Sequence, residues 1–145
     1  SLPQPLYAFS MRNELTTEIT PMEAGLERFV DFSKCFLGRE ATLSRKLLGV
    51  NTKLVYVSVE TADSDCLGNE TVLNPEAPSG ENIIGVTTSG AYGHTVSQSM
   101  AFAYVQPKFA EPGTKFEIRV LGHNCSATVL KEAAYDPQNL RLRDV

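Results

Sequence analysis

The chain has 145 residues, 42% hydrophobic and 21% charged, which suits a single soluble domain that buries a core and excludes disordered and fibrous classes. Its net charge of -4 gives no electrostatic ground for binding nucleic acid, and no apolar run approaches the roughly 20 residues of a membrane span. The N-terminus lacks a basic stretch followed by an apolar one, and the three cysteines, Cys35, Cys66 and Cys125, are too scattered for a disulfide framework or a zinc site, so reduced, buried thiols in a protein that is not secreted are expected.

Residues 1–5 carry two prolines and no structural signal. The first signal is Thr20-Pro21-Met22-Glu23, with an N-cap threonine, proline at the first helical position and glutamate three residues after the cap. This predicts a helix of one or two turns, stopped by Gly25, after which Arg28-Phe29-Val30-Asp31-Phe32 alternates like a strand. Between Gly38 and Gly49, Ala41, Leu43, Leu47 and Leu48 recur among charged residues, predicting an amphipathic helix whose basic residues, Arg39, Arg45 and Lys46, form a solvated face.

From Lys53 the hydrophobic period changes to two. Strands are predicted over the alternating run Leu54–Val59 and over Asn69–Leu73, Ile83–Thr88, Ser99–Val105, Lys115–Leu121 and Cys125–Lys131. Asn74 to Asn82, with Pro75, Pro78 and Gly80, reads as a surface loop; Glu111-Pro112-Gly113-Thr114 has the order of a type II turn; Leu121-Gly122-His123-Asn124 suits a tight hairpin. Short strands at this spacing argue a closed barrel or a sandwich, because closure removes unpaired edges. The expected class is therefore mainly β with a short α-helical N-terminal part.

Little in the chain carries chemistry. His94 and His123 each flank a glycine in a predicted turn, where an exposed imidazole needs no functional reason. No nucleophile motif is present, and Ser89-Gly90-Ala91 reads as structural. Gly90-Ala91-Tyr92-Gly93 lacks the lysine and hydroxyl residue of a phosphate loop, so its glycines are expected to let the backbone bend at a barrel corner. Glu60, Asp63 and Asp65 are too few and wrongly spaced for a calcium loop and read as a solvated turn.

Longer segments carry a resemblance. Glu14-Leu15-Thr16-Thr17-Glu18-Ile19-Thr20-Pro21-Met22-Glu23-Ala24-Gly25-Leu26, Phe36-Leu37-Gly38-Arg39-Glu40-Ala41, Gly85-Val86-Thr87-Thr88-Ser89-Gly90-Ala91-Tyr92 and Ser99-Met100-Ala101-Phe102-Ala103-Tyr104-Val105 follow one another in this order, with Pro112-Gly113 and Tyr135-Asp136-Pro137 after them. Together they resemble the C-terminal portion of the glycine-cleavage T-protein (aminomethyltransferase) family, most of all its dimethylglycine and sarcosine dehydrogenase branch.

The resemblance implies an antiparallel β-barrel of about six strands over residues 50–145, with residues 1–49 forming the tail of a preceding folate-binding domain and a linking helix. It implies that tetrahydrofolate receives a one-carbon unit from an N-methyl amine or aminomethyl donor, giving 5,10-methylenetetrahydrofolate. The catalytic aspartate of the family falls in upstream domains, and FAD would belong only to a missing N-terminal domain, so the isolated chain is expected to be an inactive enzyme fragment whose partners are those upstream domains, the folate and the amine. By the same resemblance the compartment is the bacterial cytoplasm or the mitochondrial matrix. The alternative is a non-catalytic regulatory or adaptor protein of the same family, since a regulatory subunit of pyruvate dehydrogenase phosphatase resembles it too.

Two residues carry over as folate-binding. Arg12 matches a family arginine near the folate or substrate carboxylates, for which a planar guanidinium fork is suited. Arg28 stands where several relatives have an aromatic residue that packs on the folate, and Leu140 stands where some have a tyrosine. Relatives carry a longer segment between the arginine and the Thr-Pro motif, whereas here Asn13 leads directly to Glu14-Leu15. The other reading of both arginines is an ordinary surface or interdomain salt bridge.

Overall fold

The computed structural model describes residues 13–78, 82–138 and 140. Its centre is a closed barrel of six strands: β1 Lys53–Val59, β2 Thr71–Leu73, β3 Ile83–Gly93, β4 Gln98–Val105, β5 Lys115–Val120 and β6 His123–Val129. They pair antiparallel in the order β1-β4-β3-β2-β5-β6, with β6 returning to β1. The period of two explains the core. Val55, Val57 and Val59 of β1, Ala101, Ala103 and Val105 of β4, and Phe116, Ile118 and Val120 of β5 all point inward, and Val72, Ile84, Ala127 and Val129 complete the filling.

The turns follow their chemistry. Leu121 and Gly122 both have positive φ, +47° and +87°, which makes the β5–β6 link a two-residue type I′ hairpin. Pro112 and Gly113 form the expected type II turn, with Gly113 at φ +86° and the Thr114 N–H donating to Glu111 O at 3.1 Å.

β3 runs five residues past its expected end at Thr88, continuing across a β-bulge. Thr87 lies opposite Ala103 and Ser89 opposite Phe102, so Thr88 is an extra residue without a counterpart on β4. Two residues apart on a regular strand, Thr87 and Ser89 would share the inward face. The bulge reverses the phase, leaving Thr87 buried inside and turning Ser89 to the outer face beside Phe102 and Tyr104. Gly90 is not a corner but a point of close approach, where an added Cβ would sit 2.6 Å from the Cys66 carbonyl oxygen.

Other differences have local causes. β2 starts at Thr71 rather than Asn69, because Asn69 has φ +67° and donates its N–H to Thr87 O at 2.8 Å. His123 is the first residue of β6 rather than part of the turn, while His94 does lie in one. Cys66 is buried as expected, but Cys35 is exposed and Cys125 half-buried. Asp65 is not a solvated residue, since it accepts a hydrogen bond at 2.7 Å from the buried Ser99 hydroxyl and so ties its loop to β4.

The strand-like alternation at Arg28–Phe32 gives no strand. Glu27–Phe29 is a 3-10 turn, and Asp31 then accepts hydrogen bonds from the Ser33 N–H at 3.0 Å and the Ser33 hydroxyl at 2.6 Å, closing an Asx-turn. The predicted helix is α1, Arg39–Leu48, bracketed by Gly38 and Gly49 at φ +85° and +87°. It buries none of its residues.

Candidate functional site

The chemistry-bearing residues gather along the seam where the N-terminal segment crosses the outside of the barrel. The turn at Thr20–Gly25 is capped at both ends. At its start the Thr20 N–H and hydroxyl donate to Glu23 Oε2 at 2.8 and 2.7 Å, and the Glu23 N–H returns a bond to Thr20 Oγ1 at 3.4 Å. At its end Gly25 takes φ +70°, the Leu26 N–H donates to Pro21 O at 2.8 Å and the Gly25 N–H to Met22 O at 3.4 Å, the paired bonds of a Schellman motif. Where a helix of one or two turns was expected, the two caps meet within six residues and close a single hydrogen-bonded turn, so no helix forms there. The Glu23 carbonyl also accepts the Leu54 N–H at 2.9 Å, fastening the turn to the start of β1.

Seven residues before that capped turn begins at Pro21, Glu14 is 1% exposed and is gripped by two strands. Tyr104 of β4 donates its hydroxyl to the Glu14 carbonyl at 2.8 Å, and Ser89 of β3 donates to Glu14 Oε1 at 2.5 Å. Burial, reinforced by the negative charges of Glu14 and Glu23, pushes the Tyr104 phenol up to about 12, so it remains a donor throughout the physiological range.

At the opposite flank of the β3 bulge, Glu70 takes hydrogen bonds from the Leu67 N–H at 2.8 Å, the Gly68 N–H at 3.0 Å and the Thr87 hydroxyl. Burial opposes its ionisation, yet these donors hold its carboxyl below the usual glutamate range. Burial, with the Glu70 charge next in weight, drives the neighbouring Cys66 thiol up to about 12, which makes it a packing residue and not a nucleophile. Among the described residues no three His, Cys, Asp or Glu side chains cluster to hold a metal ion.

Of the residues expected at a folate site, Arg12 lies outside the described residues. Arg28 is exposed on the 3-10 turn, with its guanidinium carbon 4.7 Å from the Phe29 ring centroid. Phe29 is 69% exposed, so the pair offers a cation and an aromatic face together. Glu27 of the same turn pairs with Lys46 of α1 at 2.6 Å, fixing that helix beside it. Leu140 is exposed, its N–H donating to Asp136 Oδ1 at 2.8 Å.

Residues 53–136, covering β1 through β6, match the model of the glycine cleavage T-protein C-terminal barrel domain. The chain belongs to that family. Dimethylglycine dehydrogenase of Mus musculus is 36% identical over 135 residues, which is 90% of this chain and 15% of that protein. Aminomethyltransferase of Aquifex aeolicus is 35% identical over 127 residues, 88% of this chain and 33% of that protein. The crystal structure of glycine cleavage system aminomethyltransferase T from Bartonella henselae superposes with a TM-score of 0.73 at 25% identity, covering 82% of this chain and 33% of that one. The chain thus spans between about a seventh and a third of these relatives.

The segments that mark the T-protein family in sequence here hold the seam together. Thr87 secures Glu70, Ser89 and Tyr104 secure Glu14, and Thr20 and Glu23 cap the turn that carries the chain to Arg28. Glu14 and Tyr104 carried no sign of a polar contact in the sequence: one sits in an irregular segment, the other in an apolar strand. Only the bulge brings Ser89 to them, and a bulge leaves no trace in hydrophobic period.

Proposed function

We propose that this chain is the C-terminal part of a tetrahydrofolate-dependent dimethylglycine or sarcosine dehydrogenase or aminomethyltransferase, in which it helps close the folate site formed with preceding domains. The observation that carries this reading is the side of the molecule around the 3-10 turn and α1: Arg28 and Phe29 face solvent together, and Leu47 and Leu48 of α1 are 77% and 85% exposed, on a helix with no buried residue. A helix of this kind has its packing partner elsewhere, and the relatives that this chain matches are about three to six times its length.

In this reading Arg12 and Arg28 are the folate-binding residues. Arginine pairs with the carboxylates of folate, and the Arg28–Phe29 pair presents a flat surface against which an aromatic ring can stack. Residues 1–49 are the tail of the preceding folate-binding domain and its linking helix, and residues 50–145 are the barrel. This chain's part is to bind and orient folate and to exclude water; proton and carbon transfer fall to upstream residues, and FAD, in the dehydrogenase case, to an upstream domain. The mouse relative is described as mitochondrial, and Aquifex and Bartonella are bacteria, in keeping with a mitochondrial matrix or bacterial cytoplasmic setting.

The test is to isolate the full-length protein, record its visible spectrum and supply it with tetrahydrofolate and dimethylglycine or sarcosine. A flavin spectrum with formation of 5,10-methylenetetrahydrofolate supports the dehydrogenase; a colourless protein active with an aminomethyl donor supports the aminomethyltransferase. A long, colourless protein without turnover points to the regulatory relative. In the same full-length protein Arg28→Ala is expected to raise the KM for tetrahydrofolate roughly fivefold, as expected for loss of one charge-assisted contact.

A further inference from the structure

We infer that Lys46 is a positioning residue for the folate site: through Glu27 and Phe32 it ties the 3-10 turn that carries Arg28 and Phe29 to α1, and so sets the direction in which that pair faces. The inference rests on the folate reading of Arg28. Neither the turn Glu27–Phe29 nor α1 has a buried residue, so burial in the core fixes the placement of neither. Polar links hold them together instead. The Lys46 ammonium lies 2.6 Å from Glu27 Oε1 and 5.2 Å from the centroid of the Phe32 ring, so one cation reaches both flanks of the Arg28–Phe29 pair. Phe32 is also fastened to the other end of the same helix. The Arg39 Nε–H donates to its carbonyl at 2.9 Å, and its ring lies 6.3 Å from that of Phe36, centroid to centroid.

The turn itself is closed by two backbone bonds, the Phe29 N–H donating to Leu26 O and the Val30 N–H to Glu27 O, each at 3.0 Å. Successive side chains of a 3-10 turn leave its axis about 120° apart, so a tether on Glu27 sets where the next two residues point. With Glu27 drawn to α1, Arg28 and Phe29 are left facing solvent, the guanidinium carbon 4.7 Å from the ring centroid. Orientation of a binding pair acts on affinity, so the signature of Lys46 is in folate binding and not in the chemical step.

The experiment measures Kd, KM and kcat with tetrahydrofolate in the full-length protein and in its Lys46→Met, Lys46→Arg, Glu27→Met and Arg28→Ala variants. The Lys46 and Glu27 side chains are 42% and 53% exposed, so these changes leave the core intact. Lys46→Met is expected to raise the folate Kd and KM roughly threefold, the scale of an exposed ion pair, with kcat within about twofold. Lys46→Arg, which keeps the cation, is expected to restore the parent affinity. Glu27→Met separates positioning from simple charge. Removing an acid next to an anion-binding arginine tightens folate by charge alone, whereas a lost tether weakens it about as much as Lys46→Met does. In the Arg28→Ala background Lys46→Met is expected to add little, because both act on one contact.

The inference is overturned if Glu27→Met binds folate as tightly as the parent or more tightly, or if Lys46→Met leaves the Kd unchanged while Arg28→Ala weakens binding. Unaltered folate affinity in Arg28→Ala removes the folate reading itself, and is told apart because it is read from that variant alone.

Discussion

Single residues in this chain do work that their type alone does not announce. Leu121 occupies the first central position of the type I′ turn at φ +47°, a conformation that costs a side chain with a Cβ about 1 kcal/mol, while its own side chain is 79% exposed. Leu121→Asn is therefore expected to raise stability by about 1 kcal/mol in urea unfolding. The reverse holds at Gly90, where a methyl group would lie 2.6 Å from Cys66 O and 2.7 Å from Cys66 Cβ; Gly90→Ala is expected to cost about 3 kcal/mol. The thiols also divide by position. A maleimide should label Cys35 rapidly in the native protein and reach Cys66, which is buried and held protonated, only on unfolding. Rapid native labelling of Cys66 would contradict the barrel packing described above.

The strands were legible from the sequence because a half-buried strand writes its burial into alternate residues, and Val55, Val57 and Val59 are as plain an example as the chain holds. Turn identities followed from Pro112-Gly113 and Leu121-Gly122 because positive φ selects glycine. The register of β3 beyond Thr88, the orientation of Ser89 and its bond to Glu14 were hidden, since all three depend on one extra residue at Thr88 that changes no local propensity. Deleting Thr88 should return Ser89 to the inward face and break its bond to Glu14, which a hydrogen-exchange measurement would register as faster exchange across residues 13–25 with the β5–β6 hairpin unaffected. The 60–70 loop offers a pH test. The Glu70 carboxyl is depressed in the folded state, so its contribution is present at neutral pH and is lost as pH falls through and below the usual glutamate range. Glu70→Gln should flatten the acid side of the stability curve and lower stability at pH 7.

At the scale of the whole molecule, α1 was legible as a helix but not its surroundings. Its bracketing glycines set the ends, and the exposed Leu47 and Leu48 acquire meaning only beside relatives several times longer. The candidate folate site was legible only by resemblance: Arg28 is one of seven arginines in the sequence, and it takes the fold to set its guanidinium over an exposed Phe29 and its turn next to α1. In the proposed reading the chain is one wall of a folate site that the other domains of the longer protein complete. Supplying the full-length protein and the isolated residues 1–145 with tetrahydrofolate, and titrating each for binding, tests this most directly. The account predicts saturable binding by the full-length protein that weakens in Arg28→Ala, and none of comparable strength by the isolated barrel; equally tight binding by residues 1–145 alone, or none by the full-length protein, would contradict it.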